Sequence, residues 1–172
     1  MRVMQINLHM VLCRLGRPRS ARECASAHSL LKERKLQWMS EVYTFGVKSG
    51  QHVAMIDITR EIKNLVKESG IKNGICVIYV PHTTAGLTIS ENADPDIVRD
   101  FIAEMNRIIR LPDEYCRRES NSAAHVKSSM MGFSQTIIIE DGQLLMGTWQ
   151  GIYFMEFDGP QIRKIHVKVI EG

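Results

Sequence analysis

From about residue 41 onward, apolar positions recur with two alternating periods. Val42–Val47 and Val53–Ile58 carry the dense apolar and β-branched content of strands, and the intervening Ser49 and Gly50 predict a strand pair closed by a loop. Thr59 then stands where a helix cap belongs, ahead of Ile62, Leu65 and Val66 on one helical face, with Gly70 as the stop. The run Ile75–Val80 reads as a buried strand, and Leu87–Ile89 as a short extended piece. Asp94 before Pro95 is a strong helix start, followed by Ile97, Val98, Phe101, Met105 and Ile108 as the apolar face. A polar loop is expected over 111–120 and a short helix over 123–131, stopped by Gly132. Asp141-Gly142 predicts a tight hairpin turn between 136–139 and 143–146. Two final strands, near 148–157 and 162–170, flank Asp158-Gly159-Pro160. Mostly antiparallel hairpins with added helices define an α+β domain, a β-sandwich-like fold in two layers.

Charge separates the chain into two parts. Residues 1–37 hold eight Lys or Arg against two Glu, a net +6, while the remainder holds fourteen against seventeen, a net −3. The basic leader, 1–38, lacks a coherent helix or strand period, has no long apolar core for secretion, and interleaves no aromatics with its arginines to stack bases. We therefore expect it to be dispensable, with Met39 as the natural start and 39–172 as one domain. No apolar stretch reaches the roughly 18–20 residues of a membrane span. Cys13, Cys24, Cys76 and Cys116 have no paired metal-knuckle spacing. A disulfide framework is not expected, and a reducing, cytoplasmic location is. Neither nucleic acid nor membrane is an expected partner.

The chemistry concentrates in short polar clusters. Pro81-His82-Thr83-Thr84-Ala85-Gly86 follows a buried strand, and Glu91 lies a few residues on. Asn121-Ser122-Ala123-Ala124-His125-Val126-Lys127-Ser128 puts an amide, an imidazole, an ammonium and hydroxyls within three helical turns, with His125 and Ser128 or Ser129 on one face. Thr148-Trp149-Gln150 sits between Gly147 and Gly151. Each cluster also has a plain structural reading, in which threonines bond local backbone and Trp149 packs in the core.

In order and spacing, five motifs resemble the YjbQ-type family, whose members are described as secondary thiamine-phosphate synthases. They are His-Thr-Thr-Ala-Gly at 82–86, Glu-Asn-Ala-Asp-Pro-Asp at 91–96, Asn-Ser-x-Ala-His at 121–125, Gly-Thr-Trp-Gln-Gly-Ile at 147–152 and Glu-Phe-Asp-Gly-Pro at 156–160. The resemblance implies a homotrimeric β-sandwich that joins hydroxymethylpyrimidine diphosphate to thiazole phosphate with release of pyrophosphate. A metal-dependent hydrolase and a non-catalytic anion-binding trimer are the alternatives.

Within that frame, His82, His125 and Glu91 are the candidate catalytic residues, and His82 with His125 the candidate ligands of zinc or magnesium. Thr83, Thr84, Asn121, Lys127 and Ser128 are candidates for holding phosphate, Trp149 for stacking on a pyrimidine, and Thr148 and Gln150 for reading it. His82 and His125 are expected in one cleft at a subunit boundary, and to matter more than Lys127, whose charge other groups could replace. The chain departs from the family pattern at Tyr115-Cys116-Arg117, where many members have Tyr-x-His, at Ala123, where Asp is frequent, and at Ser90, where Asn is. Cys116 is then a candidate substitute ligand, with Arg117 and Arg118 favouring its thiolate or binding phosphate themselves.

Overall fold

The computed structural model describes residues 41–109 and 121–172; the leader and the segment containing Cys116, Arg117 and Arg118 lie outside them. Eleven elements are described: β1 (Tyr43–Lys48), β2 (Ala54–Asp57), α1 (Thr59–Ser69), β3 (Gly74–Tyr79), β4 (Ala85–Glu91), α2 (Pro95–Ile108), α3 (Ser122–Met131), β5 (Ser134–Glu140), β6 (Gln143–Leu144), β7 (Gln150–Glu156) and β8 (Ile162–Glu171). They form a five-stranded sheet in the order β1-β8-β3-β5-β6 and a three-stranded sheet in the order β2-β7-β4, antiparallel throughout. The α+β sandwich is as expected, but the β1–β2 pairing is not. β1 and β2 do not pair with each other, and neither do β7 and β8; each couple splits across the two sheets. The connection between β1 and β2 is therefore a crossing between layers, and hydrophobic period alone cannot tell such a crossing from a hairpin.

Between the sheets lies the main core. Cys76 and Ile78, Ile137 and Ile139, and Ile165, Val167 and Val169 face Leu87, Ile152 and Phe154, with Ile62 and Val66 of α1 closing the layer. Burial pushes the Cys76 thiol up to about 12, so it serves as a small apolar filler. The reverse face of β7 presents Tyr153 and Met155, followed by Phe157, to Val98, Phe101 and Ile102 of α2 and to Ala124 and Met131 of α3. β7 is thus covered on both faces, which is why it is buried almost end to end.

Local devices set the elements in place. Asp94 caps α2 as expected, its Oδ1 accepting the Asp96 N–H at 2.8 Å ahead of Pro95. The packed stripe of α2 runs through the half-buried Val98, Phe101 and Ile102 to the buried Met105; Ile97 and Ile108 flank it and are exposed. Thr59 does not cap α1. It is the first helical residue, its N–H bonds to Asp57 Oδ1, and its hydroxyl accepts the Ile152 N–H at 2.8 Å, tying α1 to β7. The turn between β5 and β6 has positive φ at both Asp141 and Gly142, 50° and 78°, as the Asp-Gly signal predicts. Gly86 is required by space, not by backbone conformation: a Cβ there would lie 2.8 Å from the Gly132 carbonyl oxygen. The end of α3 can therefore lie directly on β4, where the Leu87 N–H bonds to Gly132 O.

Candidate functional site

The polar clusters converge on one end of the three-stranded sheet. The register pairs both Ala54 and Ala85 with Glu156, so β2 and β4 begin where β7 ends. Glu156 shares the inward side of β7 with Ile152 and Phe154, and Arg163 shares the inward side of β8 with Ile165 and Val167. These two positions meet across the sandwich as a buried ion pair, with relative exposures of 0% and 5%. Arg163 Nη2 donates to Glu156 Oε1 at 2.6 Å and Nε to Oε2 at 2.8 Å. The carboxylate also accepts the Phe157 and Asp158 N–H groups and the Ser49 hydroxyl, while Arg163 Nη2 reaches Thr84 Oγ1 at 2.9 Å. Burial pushes the Glu156 carboxyl up, but the Arg163 hydrogen bonds and charge, with the Asp158 and Ser49 donors, outweigh it and hold it below its usual range.

This pair fixes His82. The backbone N–H of Lys164, next to Arg163, donates to His82 Nε2 at 2.9 Å. That bond commits the Nε2 lone pair and places the proton of the neutral ring on Nδ1. Desolvation and the Arg163 charge lower the His82 pKa, against smaller opposing contributions from Glu156 and the Lys164 bond. His82 is thus a neutral imidazole presenting an Nδ1–H donor. Thr84 is buried and spent on Arg163, whereas Thr83 is exposed.

α3 brings the second cluster to the same end of the sheet. Asn121 Nδ2 donates to Asp158 Oδ2 at 2.8 Å, and the Ser128 hydroxyl donates to the Ala85 carbonyl at 2.7 Å, so the helix is anchored to both β4 and the loop after β7. Ser128, fully buried, is therefore a structural anchor rather than an accessible phosphate ligand. Lys127, 6% exposed, gives Nζ to Asn106 Oδ1 of α2 at 2.5 Å and has no carboxylate partner among the described residues. Desolvation lowers its pKa. A cavity of about 140 Å³ opens beside it, lined by His52, Val53, Asn106, Asn121, Ala123, Ala124, Lys127 and Phe157. His125 lies on the same helix, half-buried, with the Ser129 hydroxyl on its carbonyl.

The other candidates lie at the opposite end. Glu91 pairs with Gln150 in the β4–β7 register, so the seven-residue β4 separates it from the His82 loop by about 20 Å of extended chain. A single subunit therefore does not bring Glu91 to His82. Trp149 is neither core nor strand: it precedes β7, is 64% exposed, and offers its carbonyl to the Asn92 N–H. Thr148 and Gln150 line a separate, larger cavity.

Nor do the described residues fit the zinc site. The His82 Nε2 lone pair is taken by Lys164, Glu156 by Arg163, and Asp158 by Asn121, and no group of three His, Cys, Asp or Glu side chains among the described residues could hold a metal ion. Asp94 and Asp96, the pair that could have suggested magnesium, are occupied by the helix cap and by Arg99.

Arg163, His52, Asn106 and Ser49 did not figure among the sequence candidates. For Arg163 a signal existed, since its position continues the inward stripe of Ile165, Val167 and Val169. His52 and Asn106 carry no such signal, because they reach the cavity only through the packing of α2 and α3.

A helix-backed antiparallel sandwich thus gathers an imidazole, an amide and a buried ammonium at one sheet end. Residues 43–172 match the family described as UPF0047 protein YjbQ-like, and the chain belongs to that family. It is 50% identical over 129 residues to the UPF0047 protein MJ1081 of Methanocaldococcus jannaschii, covering 75% of this chain and 94% of that protein. It is 48% identical over 128 residues to YugU of Bacillus subtilis, covering 74% and 97%. Among solved structures, a YjbQ/UPF0047 family protein of Clostridium acetobutylicum is 50% identical with a TM-score of 0.72, covering 74% of this chain and 99% of that one. A YbjQ-like protein of unknown function from Sulfolobus solfataricus P2 is 28% identical with the same TM-score, covering 77% and 99%. No helix among the described residues is long and apolar enough to cross a membrane.

Proposed function

We propose that this protein acts on small phosphorylated substrates as a transferase of the thiamine-phosphate-synthase type. The observation that carries the reading is Lys127, a desolvated ammonium held, among the described residues, by an amide instead of a carboxylate, beside a cavity lined by Asn121 and His52. Burying a charge without an opposite partner is costly, and such perturbed groups mark functional sites. The cavity is smaller than the roughly 300–1,000 Å³ of a whole ligand pocket, so it suits one phosphate while the rest of the substrate lies outside.

In the reaction, the thiazole nitrogen lone pair attacks the methylene carbon of hydroxymethylpyrimidine diphosphate. A C–N bond forms, the C–O bond breaks, and pyrophosphate leaves with the bonding electrons. Lys127 and Asn121 hold a phosphate, the neutral His82 donates Nδ1–H to charge developing on the leaving group, and His125 stands on the same helix as Lys127. No step is routed through a metal.

A homotrimer is proposed with it. The outer face of the five-stranded sheet, uncovered among the described residues, carries exposed Val42, Tyr79, Ile138 and Ile170, with His166 stacked on Tyr79 and bonded to Thr44. A neighbouring copy would offer a route for Glu91 and Trp149 to approach the site.

The test is the amount of thiamine phosphate formed from the two precursors by wild type, His82→Ala, His125→Ala and Lys127→Ala, after each is shown to fold. Because Lys127 is buried, its loss is now expected to be as damaging as loss of either imidazole, at least tenfold. Absence of product from wild type with divalent metal supplied would favour the binding-protein reading, and full activity in all three variants would place the site elsewhere.

A further inference from the structure

A cavity of about 650 Å³ lies at the other end of the three-stranded sheet from His82, between α1, the β5–β6 turn and the segment leading into β7. We infer that it is a separate binding site for a small polyanion of the diphosphate or nucleotide class, an inference that goes beyond the transferase reading and does not need it. Its volume falls within the range of small-molecule pockets. Its charge is one-sided: Lys63, Lys67 and Lys72 line it against the single carboxylate of Asp141. Lys63 and Lys67 stand four apart on α1, where like charges repel, and neither has an ion pair among the described residues. On α2, by contrast, Arg99 and Arg107 each have an acidic residue three positions earlier.

The polar groups around the lysines are fixed, and they favour donation. Gln150 Oε1 accepts the Gly147 N–H at 2.8 Å, so the group left for a ligand is the Nε2 amide, a donor. The backbone at both ends of the Gly147–Gln150 turn is closed by the Gln150 N–H on Gly147 O and the Asn92 N–H on Trp149 O. Opposite, the Gly142 N–H bonds to the Lys72 carbonyl, and a Cβ at Gly142 would lie 3.3 Å from Lys72 Cδ and Nζ. The bare glycine thus lets the Lys72 side chain lie across the turn at the cavity wall. Leu144 and Met146 add a short apolar surface for a ring. What the cavity leaves for a ligand is the ammonium groups of Lys63, Lys67 and Lys72 and the Gln150 Nε2 amide, and charge-assisted hydrogen bonds from such groups to phosphate are the strong ones.

The experiment is titration of the full chain with inorganic pyrophosphate, read at the backbone amides of Gly142 and Gly147 by NMR. Saturable shifts are expected at both, with the apparent Kd raised at least tenfold in Lys63→Gln/Lys67→Gln/Lys72→Gln, whose exposed side chains do not hold the fold. The same shifts should persist in His82→Ala/Lys127→Met, which separates this site from the proposed transferase site. Absence of shifts at these amides in wild type, or an unchanged Kd in the lysine variant, would overturn the inference. A single-stranded RNA oligonucleotide that shifts them at lower concentration than pyrophosphate would overturn the small-molecule assignment.

Discussion

Replacing Glu156 by glutamine tests the physical centre of the fold. In the wild type, Oε1 accepts from Arg163 Nη2 and the Phe157 and Asp158 N–H groups, and Oε2 from Arg163 Nε and the Ser49 hydroxyl. Whichever way a glutamine amide turns, its NH₂ faces N–H donors that the carboxylate had satisfied. Arg163, 5% exposed, is left as a buried cation without an anion. Removing one partner of such a pair costs about 3–5 kcal/mol. For a domain of this size that is a fall in Tm of about 10–20 °C. The double variant Glu156→Met/Arg163→Met removes both charges and should lose far less. The pH dependence has a definite sign. The folded carboxyl titrates below its unfolded value, so its stabilisation is present above the ordinary carboxylate range and is lost as pH falls through the lower, folded value. Urea melts at neutral pH should therefore separate wild type from Glu156→Gln, and the gap should narrow as the pH falls below the ordinary carboxylate range. A difference under about 1 kcal/mol at pH 7, or one unchanged in acid, would refute the claim that this pair holds the two sheets together.

His82, its pKa lowered by desolvation and the Arg163 charge, should titrate by NMR below the usual 6.5. Its contribution to stability should be present above the unfolded midpoint and fall away as pH drops below it; a midpoint at or above 6.5 would contradict the desolvation and Arg163 repulsion that lower it. Asp94→Ala should cost about 1 kcal/mol by urea melt through loss of the α2 cap, and no loss would mean the cap contributes nothing. Gly86→Ala should cost about 1–3 kcal/mol, because its methyl would press on the Gly132 backbone, and an unchanged melt would show that α3 can move away from β4 without cost.

Much of the fold was legible because local chemistry and periodicity agreed. Asp94-Pro95, Gly70 and Asp141-Gly142 mark their boundaries through capping or φ alone, and each was read correctly. Pairing between strands was not legible. Strands adjacent in sequence went to opposite sheets, a choice made by which faces can bury against each other, and this is invisible in a period-two pattern. The site divided for the same reason. Motifs at 82–86, 121–125 and 156–160 meet because β4 starts where β7 ends, whereas Glu91 and 148–150 fall at the far end of those same strands. Lys127 was read as a phosphate-holding cation whose charge other groups could replace; α2 and α3 had to be packed together before its burial could be seen.

The central claim is that Lys127 and its neighbours hold a substrate phosphate. Isothermal titration of wild type and Lys127→Met with thiazole phosphate tests it most directly, at fixed ionic strength because charge contributes to the affinity. The account predicts saturable binding by wild type and at least a tenfold weaker Kd in the variant, a loss of about 1.4 kcal/mol. Equal affinity of the two proteins, with both folded, would contradict it.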